Sequence, residues 1–153
     1  MRLMSRKKGP TPVLICSVLI FFQIIGLDYL IVLSLNNEAS SLIGLSALLM
    51  GVIIILFSVL EFKRNKTTIN PFKSSSVLIT NKLYSYTRNP MYLGMLIILL
   101  GNGLILSNLG TIFIAFLFIP IMNMRVIKYE EIMLDIDFTE RYKSYKQRVR
   151  RWL

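Results

Sequence analysis

Four apolar stretches, residues 13–35, 42–60, 92–106 and 109–122, divide this 153-residue chain, and its lysines and arginines all fall outside two of the connections between them. A helix needs about 20 apolar residues to cross the roughly 30 Å hydrocarbon layer of a bilayer. The first two stretches satisfy that length. The last two are shorter and are separated only by Ser107-Asn108, which predicts a tight helical hairpin that stops short of the far interface or sits in locally thinned bilayer. The 18 basic residues form three groups: Arg2, Arg6, Lys7 and Lys8; then Lys63, Arg64, Lys66, Lys73, Lys82 and Arg88; then Arg125, Lys128, Arg141, Lys143, Lys146, Arg148, Arg150 and Arg151. None is left for the 36–41 loop or the 107–108 turn. The positive-inside rule therefore predicts four crossings with both termini cytoplasmic.

Composition agrees. With 54% hydrophobic residues and a mean hydropathy of +0.61, residues 1–153 read as a single all-α integral-membrane domain. The net charge of +10 follows from topology and from attraction to anionic lipid headgroups. It does not point to nucleic acid, because the charges flank the spans. Residues 13–35 are too long for the apolar region of a signal peptide and lack a small-residue cleavage site, so they read as a retained span. Cys16 is the only cysteine and histidine is absent. An intramolecular disulfide, a cysteine metal cluster and imidazole chemistry are thereby excluded, and no metal is expected.

The first two helices, residues 1–62, are expected to pair antiparallel through the polar 36–41 loop. Gly44, Ser46, Ala47 and Gly51 would let a neighbouring helix approach closely. Residues 63–153 form the remaining core. Its first part, 63–89, has turn chemistry at Asn70-Pro71 and Ser74-Ser75-Ser76 and an apolar side from Val77, Leu78, Ile79, Leu83, Tyr84 and Tyr86. It is expected to lie across the cytoplasmic mouth of the bundle. From Thr111 onward one helix, bent at Pro120, should carry Glu130 and Glu131 a turn or two beyond the hydrocarbon. Phe138, Tyr142, Tyr145, Val149 and Trp152 recur at intervals of four and three, which predicts an amphipathic cytoplasmic C-terminal helix lying in the interface, aromatic side down.

Three places could carry chemistry. Asn89 is a favoured N-cap and Pro90 a favoured first helical residue, so the third helix starts there and offers free N–H groups to an anion beside Arg88. An ordinary helix start is the plainer alternative. Adjacent carboxylates at Glu130 and Glu131, where a helix leaves the membrane, are costly unless something positive or hydroxyl-rich meets them. Successive helical residues point about 100° apart, so one can face inward while the other pairs with Arg125 or Lys128. A solvated acidic patch is the alternative here. Asp28 lies within a span, where an acid is a functional candidate, but it stands about 22 Å along the first helix, close to the outer interface.

The ordered set Arg88-Asn89-Pro90-Met91-Tyr92-Leu93-Gly94, Glu130-Glu131, Phe138, Arg141-Tyr142, Tyr145 and Val149-Arg150-Arg151-Trp152 resembles the integral-membrane methyltransferases. That family is typified by isoprenylcysteine carboxyl methyltransferase and the phospholipid N-methyltransferases, and the resemblance runs over roughly residues 67–153. It implies an S-adenosylmethionine-dependent enzyme of the cytoplasmic membrane face, in a prokaryotic plasma membrane. By the same resemblance Arg88, Asn89, Pro90, Tyr92, Gly94, Glu130 and Glu131 contribute to the cofactor site, and Arg141, Tyr142 and Tyr145 fold over it. The eukaryotic enzymes have histidine where this chain has Asn89. Gly101-Asn102-Gly103 resembles the Gly-x-Gly stretch of the phospholipid branch. It lies about 16 Å past Pro90 along the helix, and a helix-packing role for these glycines is equally open. Arg88 and Glu131 are the expected catalytic residues, Glu131 taking a proton where the acceptor is an amine. The lipophilic methyl acceptor is left open among a prenylated cysteine carboxylate, a phospholipid amine, a quinone-like phenol and a small thiol. The competing readings are a nicotinamide-dependent membrane reductase of similar topology, a small cation exporter using Asp28, and a non-catalytic scaffold. For the methyltransferase reading to hold, the Arg88 and Glu130 stretches must meet in one cavity.

Overall fold

Two glycine pairs decide how the apolar helices assemble. The computed structural model describes residues 9–25, 38–107 and 109–153, and among these every regular element is helical. Helix α1 is Pro12–Ile25, α2 is Glu38–Arg64, α3 is Pro90–Ile105, α4 is Leu109–Met122 and α5 is Lys128–Arg148. Helices α2 and α3 pack antiparallel, Gly44 against Gly101 and Gly51 against Gly94. A methyl carbon at Gly101 would lie 2.6 Å from the Gly44 carbonyl oxygen, and one at Gly94 would lie 2.8 Å from that of Gly51. In hydrocarbon no hydrophobic force drives helices together, so close backbone approach through small residues supplies the packing energy. Gly103 meets Ile112 of α4 less tightly, at 3.1–3.3 Å. Gly101→Ala is accordingly expected to destabilise the bundle by about 1–3 kcal/mol, with Gly103→Ala well below it. Thermal denaturation of the two variants in lipid nanodiscs checks this, and equal effects would contradict it.

Among the described residues the expected pairing of the first two helices is not the main packing. Helix α1 packs on α3 and α4, while α2 packs on α3. The reason lies in Gln23, which is 2% exposed. Its Nε2 donates to the carbonyls of Leu99 (3.1 Å) and Thr111 (2.8 Å), and its Oε1 accepts from Asn102 Nδ2 at 3.0 Å. A buried amide without such partners would cost several kcal/mol in an apolar surrounding. Asn102, flanked by Gly101 and Gly103, therefore faces α1.

Helix α2 and the continuous helical run Leu109–Arg148 are long and apolar enough to cross a membrane, whereas α1 and α3 are shorter apolar helices. Leu42, Leu49, Phe57, Phe113 and Phe116 present large exposed apolar side chains. Pro120 lies inside α4, in the last turn before Met122. A π-helical turn follows at Asn123–Ile127; charges begin inside that turn, at Arg125, so α5 stands beyond the apolar part. Ser40 and Ser107 meet at 3.3 Å, which puts the α3–α4 turn beside the start of α2. The basic end of α2, the start of α3 and α5 gather at the opposite end.

The C-terminal stripe departs most from expectation. Thr139 (φ 40°, ψ −107°) breaks α5 directly after Phe138, and Val149 is already extended. Tyr142, Tyr145 and Val149 pack on Leu78, Leu134 and Phe138, and Trp152 joins the main core. These aromatics face protein rather than bilayer, because the 63–89 segment offers them both apolar contacts and the Tyr84 carbonyl, which accepts from the Tyr145 hydroxyl at 2.6 Å. Asp28, the basic cluster before Gly9, Asn36, Asn37 and Asn108 lie outside the described residues, and the rest of the 36–41 loop belongs to the start of α2.

Candidate functional site

The stretch entering α3 is held by its own side chains and by the tail. The Asn89 backbone N–H donates to Thr87 Oγ1 at 3.2 Å, and the Leu93 N–H donates to the Asn89 carbonyl at 2.9 Å, opening the helix around Pro90. Asn89 makes no side-chain cap. Its Nδ2 donates instead to the Arg151 carbonyl at 2.8 Å, because the C-terminal residues lie alongside and compete for the amide.

Glu130 and Glu131 have unlike surroundings. Arg151 grips Glu131 with two bonds, Nε to Oε1 at 3.0 Å and Nη2 to Oε2 at 2.6 Å, and Arg88 Nη1 lies 3.0 Å from Oε1. Both oxygens of Glu131 are thus engaged by guanidinium groups, not by Arg125 or Lys128, which are exposed. Forked arginine–carboxylate bonds are both strong and directional. Among the described residues Glu130 has one hydrogen-bond partner, the Tyr92 hydroxyl, which donates to Oε2 at 2.9 Å. Loss of water pushes the Glu130 carboxyl up to about 7, helped by the neighbouring Glu131 and opposed by the Tyr92 bond. Arg88 Nη1 also reaches the Tyr142 hydroxyl at 3.3 Å, while its buried Nε has no partner among the described residues.

These groups border one cleft that opens to solvent. Arg88, Asn89, Glu130, Glu131, Tyr142 and Tyr145 line it together. Pro90 and Tyr92 line an adjoining lobe of about 270 Å³ that shares Phe62, Arg88 and Glu130 with the first. The 63–89 segment supplies much of the cleft lining, from Thr68 to Ile79 and again at Tyr84. Asn70 caps a turn by accepting from the Phe72 N–H at 2.9 Å, and Ser74 Oγ and the Ser75 N–H donate to Asp137 at 3.0 and 3.1 Å. Burial raises the hydroxyl pKa of Tyr142 and of Tyr145, so both remain donors at neutral pH.

The other expected site residues stand elsewhere. Gly94 and Gly101 are buried against α2, Gly103 against α4, and Arg141 is exposed away from the cleft lining. Sequence reasoning missed Arg151, Thr87, Asp137 and the ion pair of Lys82 with Glu61, which anchors the turn carrying Tyr84 to the end of α2. Arg151 stood in the resembling set without an assigned role, since nothing local marks its partner twenty positions back.

With this geometry in place, comparison with known proteins is informative. A family model described as phospholipid methyltransferase matches residues 39–141. The match takes in α2, which supplies Phe62 and two of the packing glycines, and it stops short of the tail. An uncharacterized protein of Haemophilus influenzae is 43% identical over 63 residues, 41% of this chain and all of that relative. No solved structure matches. Family membership implies methyltransferase activity toward lipid-type substrates and, together with α2 and the Leu109–Arg148 run, association with a membrane. The chain belongs to the phospholipid methyltransferase family.

Proposed function

We propose that this protein is a multi-pass membrane enzyme, both termini cytoplasmic, that methylates a lipophilic acceptor using S-adenosylmethionine at the membrane's cytoplasmic face. The observation that carries this reading is the meeting of Arg88, Asn89, Glu130, Glu131, Tyr142 and Tyr145 around one cleft at the basic end of the bundle. The donor set fits the cofactor's parts. Glu130, Glu131 and Asp137 suit an ammonium, a sulfonium or ribose hydroxyls, and the unpartnered Arg88 Nε and Lys73 suit a carboxylate. When bound, the cofactor would supply an electrophilic methyl group on its sulfonium.

The chain's own part is alignment, exclusion of water and handling of a proton. Arg88 and Arg151 occupy Glu131 and fix its direction. The proton-accepting role expected of Glu131 therefore passes to Glu130, whose carboxyl is poised near neutrality and whose Oε2 is steadied by Tyr92. The tyrosine faces of Tyr142 and Tyr145 offer a cation about 0.5–2 kcal/mol of attraction. Exposed Lys63, Lys66, Arg125 and Lys128 would hold this end against anionic headgroups.

The test uses purified protein in phospholipid nanodiscs with methyl-labelled S-adenosylmethionine. Wild type is expected to bind the cofactor and pass label into the lipid fraction, and the Glu130→Ala/Glu131→Ala double variant is expected to bind none. Absence of binding by wild type, or unchanged binding in the double variant, would overturn the reading.

A further inference from the structure

Chain ends usually fray unless something ties them down, and the last residues of this chain are tied in three places. Val149 leaves α5 in extended conformation (φ −124°, ψ 128°). The Arg88 N–H then donates to the Arg150 carbonyl at 3.0 Å. The Arg151 carbonyl accepts from Asn89 Nδ2 at 2.8 Å and from Thr87 Oγ1 at 3.2 Å. The Arg151 side chain forks onto Glu131, and Trp152 Nε1 donates to Asn123 Oδ1 at 3.2 Å while its ring meets Phe118 edge-on at 6.5 Å. One short segment thus touches the residues entering α3, the π-helical turn after α4, and the start of α5. The first is distant in sequence from the other two, which follow one another in a single helical run, and the first and last carry the polar lining of the cleft.

We propose that residues 150–152 form a clasp that positions Arg88, Asn89 and Glu131, with Arg151 as the positioning residue; this rests on the methyltransferase reading above. Arg151 touches the cleft only through others. Its fork fixes the plane of the Glu131 carboxylate, so that Arg88 can meet Oε1 with Nη1 and still reach Tyr142. Its carbonyl draws the Asn89 amide off the end of α3. Without the fork, Glu131 is free to turn onto Arg88 alone, and the guanidinium loses the orientation that leaves Nε open.

Trp152 is the only tryptophan, so its fluorescence reports on the clasp directly. Wild type, Arg151→Ala, Arg151→Lys and Thr87→Val are compared in nanodiscs. In cofactor-free protein, Arg151→Ala should raise acrylamide quenching of Trp152 about twofold or more, since the forked anchor is gone. The same variant should weaken S-adenosylmethionine binding about tenfold or more while kcat at saturating cofactor stays within about threefold, the pattern of lost ground-state binding. Arg151→Lys keeps the charge but not the fork, and should fall between the two. Thr87→Val removes one anchor with little change of shape; it should move both readouts in the same direction by less, and it decides the matter if Arg151→Ala does not fold. Quenching and affinity both unchanged in Arg151→Ala would overturn the clasp. If wild type binds no cofactor, the methyltransferase reading falls instead, and the quenching comparison alone decides the clasp.

Discussion

Replacing Arg88 with alanine is expected to lower kcat/KM for methyl transfer by about two to three orders of magnitude, with cofactor binding lost in parallel. Arg88 is 13% exposed in its side chain and its partner Glu131 17%, so the pair is largely shielded from water. Removing one member of such a pair leaves the other charge poorly compensated, which costs about 3–5 kcal/mol, and every 1.36 kcal/mol is tenfold in rate. Arg151 stays on Glu131 and compensates in part, which places the expectation at the lower end of that range. Arg88→Lys should recover little, because an ammonium cannot hold Glu131 and Tyr142 with separate arms of a planar fork. Isothermal titration with S-adenosylmethionine and initial rates with labelled cofactor provide the check. A kcat/KM within about threefold of wild type would remove Arg88 from the site.

Much of this arrangement was legible before any coordinates, and what was legible shares one property: it is written locally. Apolar runs and the grouping of 18 basic residues announce a membrane bundle with one charged end. Asn89-Pro90 marks the start of α3, Asn70-Pro71 marks a turn, and both stand where expected. Contacts between distant segments were not legible. Gln23 and Asn102 lie 79 positions apart, and nothing in either neighbourhood names the other, so the placement of α1 was missed. The amphipathic tail shows how a good period misleads. Intervals of four and three are sound evidence for a helix, yet they carry no information about Thr139, whose positive φ turns the chain before the stripe is complete. The glycines are a middle case. Gly94 and Gly101 could serve a cofactor or a helix, and the deciding signal was the same seven-residue spacing at Gly44 and Gly51. Two glycine pairs of equal spacing on antiparallel helices can meet twice.

Glu130 provides the second large effect, because rate and stability should move in opposite directions there. Glu130→Gln keeps an oxygen for the Tyr92 hydroxyl but can no longer take up a proton, and a positioned base typically contributes about 10²–10⁴-fold. A loss of at least about a hundredfold in kcat is therefore expected with an acceptor that must shed a proton. In wild type, kcat/KM should rise with pH through about 7 as the carboxyl ionises, and that limb should be absent from the glutamine variant. The sign for stability is the reverse. Desolvation lifts the folded-state pKa above the ordinary carboxylate value of 4.5, so the folded protein holds this proton more tightly than the unfolded chain. That contribution is complete below the unfolded value and is lost as pH rises through about 7. Glutamine carries no such penalty, so Glu130→Gln should melt higher than wild type at pH 8, with the difference closing toward pH about 4. A variant both inactive and more stable at alkaline pH separates a chemical role from a structural one. Retained activity with an unchanged pH limb would assign the proton to another group, and a variant less stable at pH 8 would show that the Glu130 carboxylate is held by the fold rather than strained by it.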